Sequence, residues 1–253
     1  MFEKISRIFY KPSRRSSRPA FQLIQVEPSL ECSLDCVMCP WSEIRPQNAS
    51  MSWDTFERIV PFFQQAVSVD FTGGGEPFKH PRLVDMVQAA KKAGCEVGFS
   101  TNGTRLVPEV SEQLITLGLD WISFSIDAAT PELYERIRQG AHFEKVMGHI
   151  AALRDLKQRL ASKKPRMMAV YVMMTGEQEN YHELPAFIEL AHSLGVEQVV
   201  AKNLDVILKD GDDERRLFSH TGEPTQAVEA VRAEAQRRAE KVGLGLRFYD
   251  LRP

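Results

Sequence analysis

From residue 21 onward the chain alternates short apolar runs with longer segments of helical period, and this alternation constrains the fold more than any other feature. The strand-like runs are FQLIQVEP at residues 21–28, VSVDFT at 67–72, EVGFST at 96–101, WISFSI at 121–126, RMMAVYVMM at 166–174 and EQVVAK at 197–202. Between them lie helix signals. Ser52 is placed to cap WDTFERIVPFFQQ, with Pro61 ending or kinking that helix. A second helix covers about residues 81–93 and stops at Gly94, and a third lies around residues 109–117. Thr130-Pro131-Glu132 offers an N-cap, a proline at N1 and a first-turn acid. A further helix covers about residues 182–194. About six consecutive β-α units imply a parallel sheet with right-handed crossovers. No nucleotide-fold glycine signature follows the first strand, which favours a partial (β/α)6 TIM-like barrel over an open doubly wound sheet.

The chemistry is concentrated in the cysteines. Cys32, Cys36 and Cys39 fall within eight residues, in ECSLDCVMCPW just after the first strand, and Cys95 stands alone. Three thiols together and one remote make a poor disulfide framework. Parallel barrels carry their chemistry at the C-terminal ends of strands, where this cluster falls. Thiolates at these spacings can hold three irons of a [4Fe-4S] cluster, leaving one iron open, since ordinary cluster sites use four cysteines. Zinc is the competing metal. Structural zinc sites prefer four closed ligands, and His80 is the candidate for a fourth. Cys95 opens the third strand at its N-terminal end, away from such a site, and reads as a buried small hydrophobe.

Cys32-x3-Cys36-Val37-Met38-Cys39, joined to the glycine-rich segment VDFTGGGEP after the second strand, resembles the signature of radical S-adenosylmethionine (radical SAM) enzymes. The resemblance runs from about residue 21 to residue 202. It implies that Cys32, Cys36 and Cys39 ligate a [4Fe-4S] cluster and that S-adenosyl-L-methionine chelates the open iron. Reductive cleavage of the cofactor to a 5′-deoxyadenosyl radical would then abstract hydrogen from a peptide or small organic substrate. It further implies an external electron donor such as flavodoxin or ferredoxin. A cluster-binding scaffold or electron-transfer domain without turnover is the alternative.

The same resemblance distributes the cofactor contacts. Met38, where many members carry an aromatic residue, covers the cluster. Gly74 and Gly75 let backbone approach the ligand where a Cβ would clash, and Glu76 offers an acceptor near the amino group. Ser100 faces the ribose or the substrate, and Ser125 the ribose or the carboxylate. Both also read as strand-end hydroxyls satisfying loop amides. Arg138 meets the methionyl carboxylate, or is an exposed helix arginine. Asn102-Gly103 is first a turn signal, and Asp127 a cap for backbone amides. Met173 and Met174 sit where the fifth strand would line the adenine, with core packing the competing role for at least one.

The chain divides into a basic arm at residues 1–20, a barrel at 21–203, and a linker, helix and strand at 204–253. The last helix covers about residues 224–242, with Val228, Val231, Ala235 and Val242 on one stripe and Gly243 as its stop. This tail resembles the start of the SPASM or twitch extensions of radical SAM enzymes. No cysteine follows Cys95, so no auxiliary cluster is expected in this chain. The 32 basic residues nearly balance the 34 acidic ones, so no global field draws the chain to nucleic acid or an acidic membrane. No apolar run is long enough to span a bilayer. Free cysteines and the lack of a secretory apolar core point to the cytoplasm.

Overall fold

A computed structural model describes residues 19–40, 49–176, 179–204 and 225–249. Nine strands and seven α-helices follow in chain order among them: β1 Phe21–Gln25, β2 Asp35–Cys36, α1 Trp53–Phe63, β3 Ala66–Asp70, α2 Leu83–Lys92, β4 Glu96–Thr101, α3 Pro108–Thr116 and β5 Trp121–Ser125. They continue with α4 Pro131–Ile137, β6 Arg138–Gln139, α5 Phe143–Arg159, β7 Arg166–Met173, α6 Leu184–Ser193, β8 Gln198–Asn203, α7 Gln226–Val242 and β9 Gly245–Tyr249.

Seven strands form one sheet in the order β1-β3-β4-β5-β7-β8-β9, and every pairing in it is parallel. Each strand lies beside its sequence neighbour in the sheet, with no reversal of direction along the order. That is the topology of a barrel rather than of a doubly wound sheet, and the curled sheet is a partial TIM barrel. The helix and strand of the tail continue it: β9 pairs with β8 from Gln198↔Gly245 to Lys202↔Tyr249.

The helices bury apolar stripes against the outside of the sheet. On α6, Leu184, Phe187, Ile188 and Ala191 are fully buried at helical spacing, and Phe187 packs on Tyr171 of β7 with ring centroids 4.9 Å apart. Such side chains contribute about 1.5–3 kcal/mol each through removal from water. Inside the barrel, Gly98 of β4 pairs with Trp121 of β5, and the indole fills the space a Cβ at residue 98 would occupy. This ring floors the interior and leaves the strand C-termini open as a cavity.

Several local expectations are corrected. Pro61 lies inside α1, which runs on to Phe63; at the third-last position it removes one late hydrogen bond without stopping the helix. Thr130 does cap α4 by backbone geometry, but its side chain makes no cap bond. Glu183 instead accepts from the amides of Ala129 and Thr130 and from the Thr130 hydroxyl. The helix begun at Pro131 stops at Ile137, and the next two residues form β6, which pairs antiparallel with β2 of the cysteine loop. In the tail, Val228 and Ala235 are buried as expected, Val231 and Val242 pack at the core edge, and Gly243 takes the left-handed conformation at φ +70°. The basic arm, apart from residues 19–20, and most of the linker lie outside the described residues. No helix of the described residues is long and apolar enough to cross a membrane.

Candidate active site

The cysteine loop leaves β1 and crosses the C-terminal ends of the next strands, and each βα loop it passes takes hold of it. The loop after β3 comes first: Glu76 N–H donates to the Glu31 carbonyl at 2.8 Å, immediately before Cys32. The loop after β4 follows. Asn102 Nδ2 lies 3.7 Å from Cys32 Sγ and 3.4 Å from Ser33 Oγ, which also bonds Thr104 Oγ1 at 3.0 Å. Beyond β5, the β2–β6 ribbon pairs Cys36 with Arg138, and Val37 N–H donates to the Ile137 carbonyl at 3.0 Å. A turn from Cys39 N–H to the Cys36 carbonyl brings the third cysteine round.

All three cysteines line one cavity of about 440 Å³ at the strand C-termini. Met38, Gly74, Gly75, Glu76, Ser100, Ser125 and Arg138 line it too, so the three cysteines and these seven expected cofactor contacts fall on the walls of a single chamber. The thiols sit in different environments. Cys32 is exposed, Cys39 intermediate and Cys36 buried. Burial pushes the Cys36 thiol up to about 12 against the opposing pull of the Arg138 charge. Although Cys32 as a whole residue is exposed, the protein packed around its sulfur desolvates the thiol and raises it too, opposed by the Leu34 amide 3.4 Å from that sulfur. Ligation by a metal would replace these protons, since thiolate is the ligating form.

The glycine-rich loop is organised more by protein than the sequence suggests. A Cβ on Gly75 would stand 2.4 Å from the Ser29 carbonyl oxygen and 2.6 Å from that of Glu31, so this glycine is required where two backbones meet. Glu76 is 2 % exposed. Its Oε1 accepts from Thr101 Oγ1 at 2.7 Å and Phe78 N–H at 3.2 Å, and its Oε2 from Asn102 N–H at 2.8 Å. Burial raises its pKa and these donors oppose the rise. The carboxyl therefore ties the β3 and β4 loops together. Glu27, which sequence reasoning passed over, lies across Gly73 and accepts from Gly74 N–H at 2.6 Å.

Arg138 is buried rather than exposed, and it sits in β6 rather than on a helix. Its Nη2 is 2.5 Å from Oδ2 of the fully buried Asp127, and its Nη1 is 3.7 Å from Cys36 Sγ. Asp127 does cap a backbone amide, that of Val172 at 2.7 Å, but its second oxygen serves the arginine. Met173 and Met174 are fully buried, and neither lines the cavity. Strand alternation turns Val170 and Val172 inward instead, which a register read from the sequence could have indicated. Lys202 and Tyr249, from β8 and β9, complete the far wall, and neither drew notice from sequence alone.

Two further residues fall outside the site. Cys95 is buried, with its thiol donating to the Phe63 carbonyl at 3.1 Å, and it is absent from the cavity wall. His80 is fully used: Nδ1 accepts from Arg82 N–H at 3.1 Å, so Nε2 carries the proton and donates to the Met51 carbonyl at 3.0 Å. It has no nitrogen left for zinc. Among the described residues, no three His, Cys, Asp or Glu side chains are grouped to hold a single metal ion.

The family model described as the Radical SAM superfamily matches residues 26–191. The chain belongs to this superfamily. Among curated relatives, it is 33% identical over 188 residues to the tungsten-containing aldehyde ferredoxin oxidoreductase cofactor-modifying protein of Pyrococcus furiosus, covering 72% of this chain and 51% of the relative. It is 31% identical over 176 residues to mycofactocin maturase MftC of Mycobacterium tuberculosis, covering 67% of this chain and 41% of the relative. The chain thus spans about half or less of the length of these two relatives. In fold it is similar to Streptococcus suis SuiB. The structure bound to S-adenosylmethionine matches with a TM-score of 0.65 at 15% identity, over 93% of this chain and 51% of that one. The structure with the precursor peptide SuiA matches with a TM-score of 0.66 at 14% identity, over 93% and 49%.

Radical SAM membership implies an iron–sulfur cluster and SAM as cofactors. The residues fit them: three thiols of one loop open on a single cavity, with N–H donors directed at two of the sulfurs. Hydrogen bonds to sulfur are a usual support of iron–sulfur sites.

Proposed function

We propose that this chain is the catalytic core of a radical SAM maturase-type enzyme acting on a peptide or small organic substrate. The observation that carries this reading is the shared chamber: Cys32, Cys36 and Cys39 face the same cavity as the Gly74-Gly75-Glu76 loop. Three cysteines suit a [4Fe-4S] cluster with one iron left for SAM. When bound and reduced, that pair supplies a 5′-deoxyadenosyl radical able to take hydrogen from an unactivated C–H bond.

The protein's own part is to bind, orient and exclude. Cys32, Cys36 and Cys39 would hold the cluster, and Met38, buried beside them, would keep water from it. The backbone of Gly74 and Gly75 would hold the methionyl group of SAM, with Glu76 fixing that loop through its bonds to Thr101 and Asn102. Ser100 and Ser125, at the ends of β4 and β5, offer hydroxyls for the ribose or carboxylate, and Arg138 adds positive charge at the same wall. Val170, Val172 and Val200 supply an apolar lining that shields a reactive intermediate from side reactions. Relatives named as a maturase and a structure holding a precursor peptide support a peptide as the substrate class. The electron would come from an external donor such as flavodoxin or ferredoxin, in the cytoplasm.

The test is anaerobic reconstitution with iron and sulfide, reduction by dithionite in the presence of SAM, and chromatography for 5′-deoxyadenosine. We expect about four irons per chain and release of 5′-deoxyadenosine, both lost in Cys36→Ala. Cluster without deoxyadenosine would make the chain a scaffold or electron carrier. Stoichiometric zinc in place of iron would overturn the reading altogether.

A further inference from the structure

Behind Cys36 stands a buried polar group that ligation alone does not require. The Arg138 guanidinium bridges Asp127 Oδ2, at 2.5 Å, and Cys36 Sγ, at 3.7 Å. Asp127 is wholly buried and Arg138 nearly so. The Tyr134 hydroxyl, also buried, has no hydrogen-bond partner among the described residues and lies within electrostatic reach of Arg138, Asp127 and Cys36. Taking two charges out of water costs several kcal/mol per ion, so a buried pair is weak as a device for stability. Pinning the loop does not need it either, because the β2–β6 backbone ribbon already does so. What the pair adds is a charged group beside one thiol of the three-cysteine loop.

Positive charge and N–H donors at a ligand sulfur favour the reduced, more negative state of an iron–sulfur cluster, and a nearby carboxylate opposes that. We propose that the Asp127–Arg138 pair sets the reduction potential of the cluster held by Cys36: Arg138 raises it and Asp127 holds it down. Arg138 is thus a positioning and potential-setting residue as well as part of the cavity wall. The inference rests on the reading that Cys32, Cys36 and Cys39 hold an iron–sulfur cluster. The step concerned is transfer of one electron, the donor being oxidised by one and the cluster reduced by one, with no bond made or broken.

The experiment is a redox titration of the full reconstituted chain with dithionite as donor, reading the paramagnetic signal of the reduced cluster. Iron content and thermal unfolding are measured on every variant. Asp127→Asn is expected to move the midpoint to more positive potential and Arg138→Gln to more negative potential. Arg138→Lys, which keeps the charge but gives up the planar fork, should lie between Arg138→Gln and the unaltered chain. Tyr134→Phe keeps both charges and should move the midpoint less than either neutral variant. A merely structural role would not produce opposite signs. Shifts in the same direction, or no shift in variants with full iron content, would overturn the proposal. So would loss of the cluster from the charge-retaining Arg138→Lys along with the others, which would make these residues scaffolding. Failure of the unaltered chain to take up iron would instead refute the functional reading, and this proposal with it.

Discussion

Gly75→Ala separates two reasons for the same glycine. The sequence motif explains it by the approach of a ligand, whereas the structure places two backbones against it. A new Cβ would lie 2.4 Å from the Ser29 oxygen, 2.5 Å from the Leu30 carbonyl carbon and 2.6 Å from the Glu31 oxygen, where ordinary contact begins at 3.4 Å. All three obstacles are main chain, so no side chain can swing away. The loops must part by on the order of 1 Å, which is the shortfall from van der Waals contact. Overpacking of this kind, with the Glu76 N–H to Glu31 bond stretched or lost, costs about 2–4 kcal/mol. Urea unfolding of the cluster-free protein measures that loss directly. Gly148→Ala is the internal control: it lies inside α5 with no atom within 4 Å of the added methyl, and it should stabilise by about 1 kcal/mol. Because the parted loop carries Cys32, iron uptake by Gly75→Ala should fall as well. Unchanged stability of the cluster-free protein with loss of SAM binding alone would refute the packing argument and restore the ligand one.

Asn180→Ala should destabilise by about 2–4 kcal/mol in urea unfolding, since Asn180 is fully buried, accepts from Met174 N–H, and donates to the carbonyls of Asp127 and Val172; an effect under about 0.5 kcal/mol would mean that water replaces those bonds. Cys95→Ala should keep full iron content while losing on the order of 1 kcal/mol of stability, and a drop in iron would show that the remote cysteine serves the cluster after all. Burial and the neighbouring Asp120 push the Glu96 carboxyl up from 4.5 to about 7. The unfolded chain then gives up this proton first as pH rises, so stability is lost between pH 4.5 and 7 and stays lost above. With solvent screening of a half-buried group the loss is on the order of 1 kcal/mol. Glu96→Gln should remove it, and superimposable stability profiles from pH 4 to 8 for the two proteins would contradict this.

Local information carried the sequence reading a long way. The six expected strands all appear within a few residues of their expected bounds, because period-2 apolar runs bounded by Gly, Pro and Asn are set by near neighbours. The stops at Gly94 and Gly243 follow the same logic, since a left-handed residue at a helix end is a property of that turn alone. Where the expectation failed, a distant group had intervened. The helix from Pro131 ends at Ile137 because the next two residues pair with the cysteine loop, about a hundred positions earlier in the chain. Thr130 has its hydroxyl taken by Glu183, on a later element.

The sequence by itself therefore determined the β-α order, the three-cysteine loop and the glycine-rich loop, and it placed both at strand C-termini. Those are consequences of periodicity, turn chemistry and residue spacing, all of which act over a few residues. Only the tertiary structure decided that Arg138 turns inward to Asp127 and Cys36, and that Glu76 spends its oxygens on the β4 loop. It also decided that the tail adds a seventh strand to the sheet. The physical reason is common to all three. Partners far apart in the chain are chosen by how the sheet curls and which faces become dry, and no window of the sequence contains both members of such a pair.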